Sequence, residues 1–93
     1  MTVALPLPAR LDLTSARPLA RDIAAIDGDI RLDASGVRFL GGLCLQILLA
    51  ARQHCAAGGR GFAISPRSTE FDDAIHAFGV DPGLLSAEDA AWA

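Results

Sequence analysis

The stretch DIRLDASGVRFLGGLCLQILLAARQHCAAGG, residues 29–59, changes its apolar period once, and that change limits what the chain can fold into. Ile30, Leu32 and Ala34 alternate with Arg31 and Asp33, the pattern of a strand with one face buried. From about Leu43 to Ala57 the apolar residues recur at helical spacing, until Gly58-Gly59 stops them. GFAIS, with Phe62 and Ile64, follows as a second strand. Strand, helix and strand in that order imply a right-handed crossover in an α/β layer with some parallel strands.

The flanking segments extend the same alternation. Val3, Leu5 and Leu7 alternate ahead of Leu11 and Leu13, while Pro6 and Pro8 allow only an edge strand or a broken hairpin. A first helix is expected with Ser15 as N-cap, because Pro18 then falls in the turn whose donors are free anyway. Ala16, Leu19, Ala20, Ile23 and Ile26 form its expected buried stripe, and Gly28 ends it. A third helix is expected from Thr69 with Ser68 as cap, its stripe being Phe71, Ala74, Ile75 and Phe78. Gly79 ends that one. Beyond it, a turn is expected at Asp81-Pro82-Gly83 and one more helical turn after Ser86. No linker or repeat divides the 93 residues, so they read as one domain with a core over 11–80 and a tail over 81–93.

Composition removes several function classes. A net charge of −3, with eight scattered arginines and no lysine, offers no footprint for nucleic acid or an anionic membrane. LCLQILLAA is far shorter than the roughly 20 residues of a spanning helix. No basic n-region precedes a sustained apolar one at the N-terminus, so a cytoplasmic protein is expected. Cys44 and Cys55 lie on one helix about 16 Å apart, too far to bridge, and read as buried hydrophobes in a reducing compartment.

Candidate chemistry is sparse. GGRG at 58–61 follows a helix and precedes a strand, the reverse of a nucleotide loop, and reads as a helix stop. Cys44, Cys55, His54 and His76 contain no close-spaced ligand pair, so neither metal nor catalysis is expected. Gly41-Gly42 is more unusual. It stands after a strand at a helix start, where Ser, Thr, Asp or Asn is usual, and its free N–H groups face an anion or nothing. Glycine there also suits a tight strand-to-helix turn with positive φ.

The long helix carries apolar residues on two sides. Leu40, Cys44, Ile47, Leu48, Ala51 and Cys55 cluster on one. Leu45, Leu49 and Ala56 fall opposite, beside Arg52 and Gln53. The second group is either packed against a neighbouring helix or exposed as a docking patch.

Taken in order, LDLTSA, DIRLDASGVRFLGG, the apolar helix ending AAGGRGFAIS and the acidic helix ending FGV resemble the STAS domain over about Leu11 to Val80. That domain occurs in bacterial anti-sigma-factor antagonists and in the cytoplasmic tails of sulfate transporters. The resemblance implies an α/β fold, a mixed sheet of four to five strands with three to four helices packed mainly on one side. It also implies a non-enzymatic protein–protein interaction module in bacterial signal transduction, without a cofactor. In the phosphorylated antagonists the loop before the second helix reads Asp-Ser-Ser-Gly or Asp-Ser-Thr-Gly. The family's Asp falls on Gly41 and its phosphoacceptor Ser on Gly42, so the switch chemistry is missing here. Asp12 corresponds to an acidic residue near the same loop. Ser35, the nearest hydroxyl, is expected to hydrogen-bond the turn at Gly36. The partner surface implied is Gly41, Gly42, Leu45, Gln46, Leu49 and Asp12, facing a kinase, an anti-sigma-like protein or a chemotaxis component. LGGLCLQILLAA is similar to small stand-alone STAS proteins of chemotaxis gene clusters. Alternatives are the small STAS subunit of a phospholipid-transport ABC system, or a nucleotide or small-ligand sensor.

Overall fold

The computed structural model describes residues 4–81 and residue 83. Strands and helices alternate as β1 (Ala4–Pro6), β2 (Arg10–Leu11), α1 (Leu13–Ala24), β3 (Ile30–Ala34), β4 (Phe39–Leu40), α2 (Gly42–Ala57), β5 (Phe62–Arg67) and α3 (Thr69–Ala77). β3 is the central strand of a three-stranded sheet in the order β1-β3-β5. Its register sets Leu5 beside Leu32 and Leu32 beside Ile64, so one row of branched side chains crosses the sheet. Leu32 and Ile64 are fully buried, and each such side chain stabilises by roughly 1.5–3 kcal/mol.

The remaining strands, β2 and β4, form a separate two-residue ladder. Among the described residues all the pairings are parallel, in place of the mixed sheet that the resemblance implies. The connections explain this. β1 reaches β3 through α1, and β3 reaches β5 through α2; a strand that returns through a helix comes back pointing the same way. Two turns divide the strands into the two ladders. Pro8 has no N–H to donate, and Ser35-Gly36 ends β3 before β4 begins. Hydrogen bonds from Leu7 N to Asp33 O at 2.9 Å and from Phe39 N to Ala9 O at 3.1 Å bridge the gap. The N-terminal segment is therefore an edge strand followed by a second short strand, and not a hairpin.

The cap of α1 differs from the expected one. Asp12, not Ser15, caps the helix: its Oδ1 accepts from the Thr14 amide at 3.1 Å and from the Thr14 hydroxyl at 2.7 Å. Ser15 is already inside the first turn and turns its Oγ to Arg10 O at 2.7 Å. A carboxylate gathering donors from Thr14 and Ser15 outcompetes a single hydroxyl, and the helix accepts Pro18 one turn in. α1 ends at Ala24, so Gly28, at φ +87°, belongs to the following loop. Ala16, Leu19 and Ile23 are buried as expected, while Ala20 is exposed and Ile26 half-buried.

α3 is capped as expected, with Ser68 Oγ accepting from Phe71 N at 3.0 Å. Phe71 and Ile75 are fully buried beneath it. Phe78, expected in the same stripe, is half exposed, because the helix has ended and Phe78 is its C-cap. Asp81 Oδ1 accepts from Gly83 N at 2.9 Å, which fits the expected turn. The helical turn expected after Ser86 lies outside the described residues.

α2 packs on both α1 and β5. Its buried residues are Cys44, Leu45, Leu48 and Cys55, with Ile47, Leu49, Ala51 and Arg52 half-buried. The buried arc is thus centred on Leu48 and takes in residues of both apolar groups seen in the sequence, while Ala56 is exposed. A helix wedged between a sheet and a second helix buries two flanks, whereas one lying on a sheet buries a single stripe. Among the described residues, no helix is long and apolar enough to cross a membrane.

Candidate docking site

β4 runs directly into α2 through Gly41. The Gly41 amide donates to Leu11 O at 2.9 Å, adding one more rung to the β2–β4 ladder. Its carbonyl then accepts from Leu45 N at 3.1 Å and starts the helix. Gly41 is the N-cap, at φ −87° and ψ 163°, and no side chain caps α2. Neither glycine has positive φ; that conformation belongs to Gly28, Gly59 and Gly79. The expected conformational reason for the pair is absent.

Close approach is the reason found instead. A β-carbon on Gly41 would lie 3.3 Å from Leu11 O and 3.5 Å from the Phe39 ring. One on Gly42 would meet the Phe78 ring at 3.6 Å, an ordinary contact. Gly41 therefore lets β2 and β4 close on each other beside the Phe39 ring, while Gly42 leaves a bare backbone surface beside the Phe78 ring.

Around this surface stand four exposed large apolar side chains: Leu13 at 78%, Phe78 at 50%, Leu43 at 46% and Phe39 at 43% exposure. A hollow of about 290 Å³ lies between Leu13 and Leu43, with Phe39, Gly41, Gly42 and Asp12 in its wall. A second hollow, of about 440 Å³, continues past Phe39 to Phe78, rimmed by Arg38, Glu70 and Asp73. Phe39 belongs to both, so the two form one apolar track crossing the start of α2. Contiguous exposed apolar surface of this kind marks interaction sites.

Charged groups frame the track in pairs. The Arg10 guanidinium lies 5.0 Å over the Phe39 ring and 3.6 Å from the Asp12 carboxylate. Arg38 and Glu70 pair at 3.0 Å on the other rim. The Thr14 hydroxyl, with the Ser15 donors and the Thr14 amide, holds the Asp12 carboxyl below its ordinary range against the opposing effect of burial. Cys44, 1% exposed, donates to Asp12 O at 3.3 Å, and its burial, with the Asp12 charge, pushes the thiol up. Burial likewise raises the Cys55 thiol. Neither cysteine is poised as a nucleophile. Among the described residues, no group of three or more His, Cys, Asp or Glu is placed to hold a metal.

Of the residues expected at a partner surface, Gly41, Gly42 and Asp12 meet in one hollow, and Gln46 is exposed one turn further along α2. Leu45 is 4% exposed and Leu49 half-buried against the core, so the outward leucine of α2 is Leu43. Sequence reasoning missed Leu13, Phe39, Leu43 and Phe78. Phe39 was within reach of it: Leu40 faces inward, and strand alternation then turns Phe39 outward. Ser35 also takes a different partner, giving its Oγ to Asp33 Oδ1 at 2.6 Å and not to the turn at Gly36. That bond, with the Ser35 amide, lowers the Asp33 carboxyl.

A family model described as "Mlab, STAS domain" matches residues 2–86. No curated protein and no solved structure gives a significant match.

Proposed function

The chain belongs to the STAS domain family, and from that premise we propose that it is a non-enzymatic docking module whose contact surface is the apolar track around Gly41-Gly42. The supporting observation is the convergence of Leu13, Phe39, Leu43 and Phe78 on the uncapped start of α2. STAS domains generally act by protein–protein interaction, and this surface has the makings of an interface: apolar centre, charged rim, glycine backbone open to close approach. The partner is a kinase, an anti-sigma-like protein or a chemotaxis component of the bacterial cytoplasm. No hydroxyl occurs from Phe39 to Cys44, so docking here is not gated by phosphate on this loop. A second reading is kept because the matched description names Mlab. In that reading the chain is the small STAS subunit of a phospholipid-transport ABC system, presenting the same track to the transporter's ATPase.

The test is affinity capture from the native host with the wild type and with a Phe39→Ser, Leu43→Glu double variant. Each lost anchor is worth roughly 1.5–3 kcal/mol when buried, so partner binding should weaken by about two orders of magnitude or more. The double variant should remain folded with at most a modest drop in melting temperature, because neither side chain belongs to the buried core. Retention of the partner by a folded double variant would place the interface elsewhere. A kinase or chemotaxis protein among the captured partners supports the first reading, and an ABC ATPase the second.

A further inference from the structure

The opposite end of α2 carries a different kind of site. Between the last turn of α1, the loop before β3 and the last turns of α2 lies a cavity of about 360 Å³. Its apolar walls are Ile23, Ile26, Ile30 and Ala51, and its polar ones include His54 and Arg60. A volume of this size is in the range of small-ligand pockets, which combine an apolar lining with a few polar groups.

Arg60 gives the pocket its chemistry. Its side chain is half-buried and reaches across the loop before β3, where Nη1 donates to Gly28 O at 3.0 Å. Among the described residues, no carboxylate oxygen comes within 4.0 Å of its guanidinium; the ion pairs are those of Arg10, Arg38 and Arg67. The nearby Asp29 is otherwise engaged, its Oδ1 accepting from Gly61 N at 2.8 Å. The guanidinium also interacts with the Cys55 thiol, so its hydrogen bonds within the protein are to neutral groups. A partly desolvated cation without a carboxylate partner, set beside a hydrocarbon wall, is matched by an anion with a hydrocarbon tail.

We propose that this pocket binds a small aliphatic monocarboxylate. The carboxylate takes the guanidinium fork in a two-point contact, and the alkyl chain covers Ile23, Ile26, Ile30 and Ala51. Asp27, which also lines the cavity, and Asp29 close by repel any anion and a dianion about twice as strongly, which limits the ligand to a single negative charge held on Arg60. Ala51 and His54, which line the pocket, stand about 14 and 18 Å along α2 from Gly42, so this inference stands whether or not the apolar track docks a partner.

Titration of the isotope-labelled chain with butyrate, hexanoate and octanoate, followed by amide NMR shifts, tests it. Saturable shifts are expected at Ile26, Ile30 and Arg60, with affinity rising about fourfold per added methylene. Octanol, octylamine and inorganic phosphate should bind at least tenfold more weakly than octanoate, and Arg60→Gln should lose at least tenfold in octanoate affinity. Should Arg60→Gln fail to fold, Ala51→Leu keeps Arg60 and fills the cavity, and it must lower octanoate affinity by a similar factor. No saturable shift, equal binding of octylamine, or shifts centred on Leu43 and Phe78 would overturn the assignment. So would full octanoate affinity in Ala51→Leu.

Discussion

Phe78 lays its ring over Gly42, with Cε1 3.6 Å from the point where a β-carbon on that glycine would sit. The C-cap of α3 thereby meets the first residue of α2, and a half-exposed aromatic ring becomes one wall of the track. The contact also separates the roles of the two glycines. Gly42 is in ordinary helical space with room for a methyl group, so Gly42→Ala should stabilise by several tenths of a kcal/mol. Gly41→Ala should destabilise by roughly 1 kcal/mol, because its methyl group presses on the Leu11 carbonyl, a backbone atom that cannot swing aside. Chemical denaturation of the two variants is the check. Midpoints that move in the same direction would contradict the division.

Leu43 and Leu45 are two residues apart and differ in what they serve. Leu45 is buried against the core, so Leu45→Ala should cost roughly 2–5 kcal/mol, a large share of what a domain of this size has. Leu43→Ser should change stability by no more than about 0.5 kcal/mol. Denaturation midpoints decide it. A Leu43→Ser variant as unstable as Leu45→Ala would mean that Leu43 is core and the track is narrower than described.

Asp12 links α1 capping to acid stability. Its carboxyl is held below the ordinary value, first by the Thr14 hydroxyl, so the folded state binds its proton less tightly than the unfolded state. The stabilisation is complete above the unfolded carboxylate range and is lost as the pH falls through the lowered folded value. Asp33 and Glu70 are lowered as well, by Ser35 and by the Glu70 amide respectively, and add to the same acid limb. Asp12→Asn keeps a capping oxygen and removes the titration. Its stability should therefore fall less steeply below the ordinary carboxylate range than that of the wild type. Equal slopes in a pH series of denaturation midpoints would show that Asp12 does not contribute.

The alternation of Ile30, Leu32 and Ala34 placed β3 from the sequence alone, and Ser68 with Phe71 placed α3, because in each the local pattern and the tertiary burial agree. The position of Pro18 points to Ser15 as the cap of α1, but a carboxylate two residues upstream of Thr14 caps it instead, and only the fold shows that Ser15 is engaged by Arg10 O. The two flanks of α2 could not be separated from the sequence either. A helical wheel gives angles between side chains, but which arc is buried depends on how deeply the helix sinks between α1 and β5. The glycine pair was legible as a strand-to-helix junction. Its apolar surroundings were not, since Leu13, Phe39, Leu43 and Phe78 come from three helix ends and a strand that only the fold brings together.

The central claim is that partners dock on the apolar track at the start of α2, and photo-crosslinking tests it most directly. A photoreactive amino acid is placed at Leu43, inside the track, or at Gln53, exposed three turns further along the same helix. In the native host, the Leu43 position should give a discrete crosslinked adduct that disappears when Phe39→Ser is added, and the Gln53 position should give none. An adduct of equal or greater yield from Gln53, or one from Leu43 that survives Phe39→Ser, would contradict the account.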